Sequence, residues 1–298
     1  MTNDQRHIKG LGTALITPFD ASGKVDYKAL AQLLDTQLTG FVDYLVVLGT
    51  TGEAATLSTD EKRELRRFIV DYIHQKPITL VLGVGGNNTA AVCAELEAMK
   101  EELVCDYAAI LSVCPYYNKP NQEGLYQHFC KVAEASPVPV ILYNVPGRTG
   151  VNLLPETVMR IFNAHPDKIA GIKEASGNLE QIKHLIELTN NKRQTTNDKL
   201  LVISGDDALA CEIMQAGGAG LISVASNAFP EDFWHIVHDK DTALQAKYEE
   251  MIKLLFAEGN PVGIKAVLAQ KGISQNYLRL PLVQASEKLQ QQILCTTP

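Results

Sequence analysis

Much is missing from this chain of 298 residues, and each absence closes off a class of protein. No uninterrupted apolar stretch approaches the roughly 20 residues that a membrane-crossing helix needs. No basic run exceeds a few residues and the formal net charge is −7, which argues against nucleic acid or an anionic membrane as partner. Cysteine is scattered and unpaired in sequence: Cys93, Cys105, Cys114, Cys130, Cys211 and Cys295 form no CxxC. They read as reduced core thiols, not as a disulfide frame or a zinc site. The opening MTNDQRHIKG is polar and lacks the apolar core of a signal peptide. No proline-, glycine- or serine-rich linker divides the chain, and no segment is of low complexity. The expectation is a soluble cytoplasmic protein.

What the chain does have is a repeated alternation. Eight continuously apolar runs recur: GTALITPF (12–19), DYLVVLGT (43–50), ITLVLGVG (78–85), DYAAILSV (106–113), VPVILYNV (138–145), IAGIKEA (169–175), LLVISGD (200–206) and AGLISVAS (219–226). Strands buried on both faces of a parallel sheet read this way. Between them, residues 27–38, 60–75, 88–103, 122–135, 155–164, 179–188 and 207–216 carry apolar side chains at helical spacing. Ser58 or Thr59 with Glu61 or Lys62 caps the second helix, Pro155 opens another, and Gly217 with Gly218 ends a third. Eight strands alternating with helices predict an α/β chain closed as a (β/α)8 TIM barrel, with an open doubly wound sheet as the alternative. Past the eighth strand, residues 230–238, 242–257, 261–270 and 286–293 read as further helices, more than a barrel needs. The expected organisation is a barrel over 1–229 and a C-terminal helical segment, 230–298, packed on it.

Active sites of such barrels form where the strands end. The strand ends carry Gly49, Thr50, Thr51, Gly52 and Glu53; Tyr116, Tyr117 and Asn118; Tyr143, Asn144 and Arg148; Lys173 and Glu174; Gly205, Asp206 and Asp207; Ile222 and Ser223. Lys173 is out of place, because it interrupts Ile169, Ala170, Gly171 and Ile172. A buried, unpartnered ammonium is costly, so such a lysine loses its proton below the usual value of about 10.4. The neutral amine is the nucleophile that forms a Schiff base with a ketone. Against this stands an outward Lys173 that snorkels between helices or pairs with Glu174; alternation sends those two residues to opposite faces. Tyr143 on the next strand can shuttle protons through carbinolamine formation and dehydration, or be a core tyrosine with a capped hydroxyl. The 49–53 turn offers hydroxyls and backbone amides to a carboxylate, or is a plain connection. Arg148 brings a fork donor for a second carboxylate, or lies idle on the surface. GVGG (83–86) lacks the Lys-Ser/Thr of a phosphate loop. His235 and His238 share a helical face without a third ligand, and Asp206 and Asp207 read as helix caps, so no metal is expected.

Together, GTTGE (49–53), PYYNKP (115–120), YNVPGRTG (143–150), GIKEASGN (171–178), SGDD (204–207) and GLISV (220–224) resemble the dihydrodipicolinate synthases over essentially the whole chain. The lysine strand and the GxTGE turn are similar to the wider pyruvate-dependent class I aldolases, N-acetylneuraminate lyase and sugar-acid aldolases among them; the double threonine and Arg148 resemble the synthases in particular. The resemblance implies a cofactor-independent cytoplasmic lyase of diaminopimelate and lysine biosynthesis. Such an enzyme joins pyruvate, held as an imine on Lys173, to aspartate semialdehyde. It implies a proton relay of Tyr143, Thr50 and Tyr117, with Tyr117 donated across a dimer interface in a homotetramer. It implies that Thr51, with Thr50, holds the pyruvate carboxylate, that Arg148 holds that of the semialdehyde, and that backbone at Gly205 and Ile222 lines the pocket. Asn87 and Tyr116 match the site where lysine inhibits family members. Thr59, Lys62 and Ala91 stand where that site carries histidines and a carboxylate, so weak or absent lysine feedback is expected. Another pyruvate-dependent aldolase or dehydratase, and a catalytically silent metabolite-binding barrel, are the readings left open.

Overall fold

Apolar side chains fill both faces of these strands, so the sheet needs helices outside it and its own curvature inside. The computed structural model describes residues 8–74, 76, 78–191 and 199–296. Its strands are β1 (Gly10–Ala14), β2 (Tyr44–Val47), β3 (Thr79–Gly83), β4 (Ala109–Val113), β5 (Val140–Asn144), β6 (Ile169–Glu174), β7 (Leu201–Ser204) and β8 (Gly220–Ser223). They form a closed barrel in sequence order, with parallel pairing. The open-sheet alternative therefore falls.

The helices are α1 (Tyr27–Thr39), α2 (Thr59–Ile73), α3 (Thr89–Ala98), α4 (Lys100–Asp106), α5 (Gln122–Ala135), the single turn α6 (Pro146–Thr149), α7 (Pro155–Ala164), α8 (Leu179–Asn191) and α9 (Ala210–Gln215). After β8 come α10 (Pro230–His238), α11 (Thr242–Phe256), α12 (Val262–Gln270) and α13 (Glu287–Cys295). Ser58 and Glu61 form a reciprocal capping box on α2, and Pro155 is the first residue of α7.

Three expectations are corrected. The first strand ends at Ala14, not Phe19; beyond it the chain turns, and Phe19 bridges Val25 in antiparallel sense. The single helix over 88–103 is two, because the backbone at Met99 (φ −105°, ψ 12°) leaves helical values; each piece buries its own leucine, Leu96 and Leu103. Not all the thiols are core: Cys105 and Cys295 are exposed and Cys93 is half-buried, whereas Cys130 and Cys211, also on helices, are buried, so the helix face and not the element type decides their exposure. Most of the polar N-terminal stretch, Met1–His7, lies outside the described residues. Among the described residues no helix is long and apolar enough to cross a membrane.

The chain divides into two compact units, one built on Thr79–Ile222 and the other on Leu11–Ile78 with Ser223–Pro298. The C-terminal helices thus group with β1 and β2. The core of the first includes Phe129, Ile141, Leu142 and Val158; that of the second includes Phe19, Leu33, Tyr44 and Phe233. Gly12 is required where it stands, since a Cβ there would lie 2.2 Å from the Tyr44 ring.

Candidate active site

In the unit built on Thr79–Ile222, β5 and β6 pair with Tyr143 opposite Lys173 and Asn144 opposite Glu174. Pleating then gives the two pairs opposite faces. Lys173 is 6% exposed, with Nζ 4.5 Å from the centroid of the Tyr143 ring. Among the described residues no carboxylate or hydrogen-bond acceptor engages that amine.

Glu174, the neighbour, is fully occupied. Asn144 Nδ2 donates to its two oxygens at 3.2 and 3.0 Å, Gln181 Nε2 at 3.2 Å and the Ser176 amide at 2.8 Å. Burial pushes the Glu174 carboxyl above the usual range, and these donors pull the other way. Asn144 and Gln181 also donate to Asn152 Oδ1 at 2.8 and 3.1 Å, and Leu153 N donates to Asn144 Oδ1 at 2.9 Å. The network ties the chain after α6 and the first turns of α8 to the ends of β5 and β6. Cys114 lies in the same layer, and burial, then the Glu174 charge, pushes its thiol up. It has the wrong shift for a nucleophile.

Gly205 follows β7 and donates its amide to Glu174 O at 2.8 Å. A Cβ there would sit 2.8 Å from Lys173 Cε and 2.7 Å from Ala175 Cβ, so only glycine lets this backbone lie against the lysine stem. Ile222 is buried in β8. Arg148 rides on α6, exposed, and among the described residues its guanidinium has no partner. Tyr117, after β4, has φ 74° and is 88% exposed. A tyrosine in the left-handed region is uncommon and needs surroundings that hold it. Asn118 N and Asn87 Nδ2 both donate to Tyr116 O, at 2.9 and 3.1 Å, and Asn118 Nδ2 donates to Asn87 O at 3.0 Å. Asn87 and Tyr116 thus meet through a backbone carbonyl that fixes the tyrosine loop.

In the other unit, Gly49 is extended, Thr50–Gly52 form one 3-10 turn, and Glu53 has φ 50°. Thr50 is exposed; Thr51 is buried, and its hydroxyl oxygen accepts from Asn260 Nδ2 at 2.9 Å. Thr17 Oγ1 donates to Gly52 O at 2.6 Å. Glu53 takes Lys265 Nζ on one oxygen and the Arg279 amide, at 3.1 Å, on the other. Lys265 is wholly buried; Nζ also donates to Tyr277 O at 2.9 Å and lies 4.2 Å from the Phe19 ring centroid. Burial pushes Lys265 down to about 8, against the pull of Glu53. Arg279 donates to Glu61 through both terminal nitrogens, to Gly23 O and to Thr56 O. Arg279 holds the Glu61 carboxyl at about 2.

Sequence reasoning missed Asn260, Lys265 and Arg279. A signal for Lys265 existed: it interrupts VGIKAVLA as Lys173 interrupts its strand. Residues set aside as metal ligands have partners within the chain. Asp206 caps Ala208 N, His235 bonds Asp239 and His238 bonds Asp43. Among the described residues no group of three or more His, Cys, Asp or Glu could hold a metal ion.

The model of the dihydrodipicolinate synthetase family matches residues 7–296. The chain is 45% identical to the 4-hydroxy-tetrahydrodipicolinate synthase of Azobacteroides pseudotrichonymphae genomovar. CFP2, over 96% of this chain and 95% of the relative. It is 47% identical to that of Flavobacterium psychrophilum, over 94% of each. Among solved structures, a monomeric dihydrodipicolinate synthase variant superposes with a TM-score of 0.90 at 38% identity, covering 99% of this chain and 97% of the other. The dihydrodipicolinate synthase of Thermotoga maritima gives 0.89 at 37% identity, covering 97% of each.

Proposed function

The chain belongs to the dihydrodipicolinate synthetase family, and from that premise we propose how its residues divide the work of condensing pyruvate with aspartate 4-semialdehyde. The reaction is that of a Schiff-base-forming lyase. Lys173 Nζ adds to the keto carbon of pyruvate, and loss of water leaves an imine. A methyl proton leaves to give an enamine, whose carbon adds to the aldehyde of the semialdehyde. The new chain's own amine then displaces Lys173 and closes the ring, so the lysine is released unchanged.

One observation carries the assignment of Lys173: a buried amine with an aromatic face beside it and, among the described residues, no anion. Tyr143 Oη, Thr50 and Tyr117 form the proton relay in this reading, with Tyr117 reaching a second copy of the chain within a homotetramer. The outward, left-handed setting of Tyr117 supports this, since it presents the ring to solvent in the single chain. Thr50 and Thr51 hold the pyruvate carboxylate, Arg148 holds that of the semialdehyde, and Gly205 and Ile222 offer backbone. The reading needs no cofactor, and it places the enzyme in the cytoplasm on the diaminopimelate and lysine route. Asn87 and Tyr116 form a vestigial effector site, without strong lysine feedback.

The test is trapping. Pyruvate with borohydride should leave one reduced adduct on Lys173 by mass spectrometry, and none in Lys173→Ala; an adduct elsewhere sinks the assignment. Tyr143→Phe should slow adduct formation by roughly 10²–10⁴-fold if the phenol moves protons. Arg148→Ala should raise the semialdehyde KM far more than the pyruvate KM.

A further inference from the structure

We propose that Asn260 is a positioning residue for carboxylate recognition, one that fixes the direction in which the Thr51 hydroxyl donates. The inference rests on the reading of Thr51 as a pyruvate-carboxylate ligand. A threonine hydroxyl has one proton and two lone pairs, and a side-chain NH2 can only donate. Asn260 Nδ2 donates to Thr51 Oγ1 at 2.9 Å, so the oxygen is used as an acceptor. Among the described residues the hydroxyl proton has no acceptor of its own. A buried donor left without an acceptor is unfavourable, and a carboxylate oxygen is the acceptor that satisfies it best, through a short charge-assisted bond. The hydroxyl is therefore set to give its proton to an anion.

The amide engages the chain through its Thr51 bond, while its own Oδ1 is buried without a partner among the described residues. Asn260 is 7% exposed and stands two residues before α12. Five residues on, Lys265 bonds Glu53, two residues past Thr51. One short segment thus grips the turn at two points, while Thr17 grips Gly52 between them. Glu53 has a left-handed backbone that a glutamate adopts only under constraint, and the wholly buried Lys265 supplies that constraint. The C-terminal segment accordingly acts as part of the carboxylate site through the turn it holds.

Steady-state kinetics of Asn260→Ala, Asn260→Asp and Thr51→Val, with pyruvate and semialdehyde varied separately, test this. Asn260→Ala frees the hydroxyl to rotate and should raise the pyruvate KM about tenfold, with the semialdehyde KM nearly unchanged. Asn260→Asp offers the hydroxyl a competing acceptor and a negative charge, and should raise it by about a hundredfold. In the Thr51→Val background, Asn260→Ala should add little, because the hydroxyl it directs is gone. A residue that merely supports the fold would lower the melting temperature and act additively with Thr51→Val. If Asn260→Asp does not fold, the Asn260→Ala cycle decides alone. Wild-type pyruvate KM in the Asn260 variants, or additive effects, overturns the inference while the Lys173 adduct still forms in the unmodified enzyme. Absence of that adduct, or an unchanged pyruvate KM in Thr51→Val, overturns the underlying reading and the inference with it.

Discussion

Two lysines interrupt apolar runs in this chain, and the fold puts them to opposite uses. Lys265 on α12 is wholly enclosed, bonded to a carboxylate and a backbone carbonyl and laid over a phenylalanine. Lys173 on β6 is nearly as enclosed, but among the described residues its Nζ meets no hydrogen-bond acceptor and lies over the face of Tyr143. Burial alone does not give an amine its task; the partner does. An ammonium locked to an anion has no lone pair to offer, whereas one against an aromatic face gains only about 0.5–2 kcal/mol and can be spared for bond formation. The acid that could have paired with Lys173 is its own neighbour, and the pleat sends Glu174 to amides on the opposite face.

Removing each amine in turn should break this comparison most visibly. Lys173→Met should lose all adduct formation and cost little stability, because the group it removes has no anionic partner to strand. Lys265→Met leaves the Glu53 carboxylate buried without its cation and should cost about 3–5 kcal/mol in urea unfolding, while still forming the Lys173 adduct at saturating pyruvate. Adding Glu53→Gln to Lys265→Met should restore part of the loss. Equal losses of stability in the two single variants would mean that the two amines are not differently partnered.

A smaller change sharpens the lysine side alone. In Gly205→Ala the new methyl would lie 2.8 Å from Lys173 Cε and 2.7 Å from Ala175 Cβ, so the lysine stem has to move. Overpacking should cost about 1–3 kcal/mol. A displacement of the nucleophile by about 1 Å should slow adduct formation by about 10²-fold. Trapping at the wild-type rate would show that the stem tolerates the shift and that Gly205 is there for the chain turn alone.

The sequence told unequally about the two lysines. Lys173 was legible because its strand is six residues of otherwise unbroken burial, and a two-residue period leaves only two faces to choose between. The barrel was legible for the same reason, eight times over. Lys265 carried the same cue, but its partner Glu53 lies 212 positions away, and no local period connects a turn after β2 to α12. Asn260 and Arg279 were invisible likewise, since each acts on the 49–61 region from the far end of the chain. Local pattern reads strands, helices and caps; it does not read which distant side chain closes a charged network. The split of 88–103 at Met99 also left no mark, as no proline or glycine stands there.

The smallest expected effect concerns acid, and it tests whether the charged network braces the threonine turn. Arg279 holds Glu61 at about 2, below the ordinary glutamate value of about 4.3. A carboxylate lowered in the folded state contributes stability above its unfolded value and loses it as pH falls through the folded one. This contribution is therefore complete above about pH 4.3 and fades towards pH 2. Glu174 has the opposite sign: burial raises it, so its part of the stability declines as pH rises through its folded value. Arg279→Met should be less stable than the parent at neutral pH by about 1.5–3 kcal/mol, the range for hydrogen bonds to a charged group. Because its Glu61 returns towards the ordinary value, the variant should lose less between about pH 5 and pH 2, and the two stability curves should converge in acid. Curves that stay parallel down to pH 2 would mean that Glu61 is not held by Arg279, and that the bracing of this turn rests on Lys265 alone.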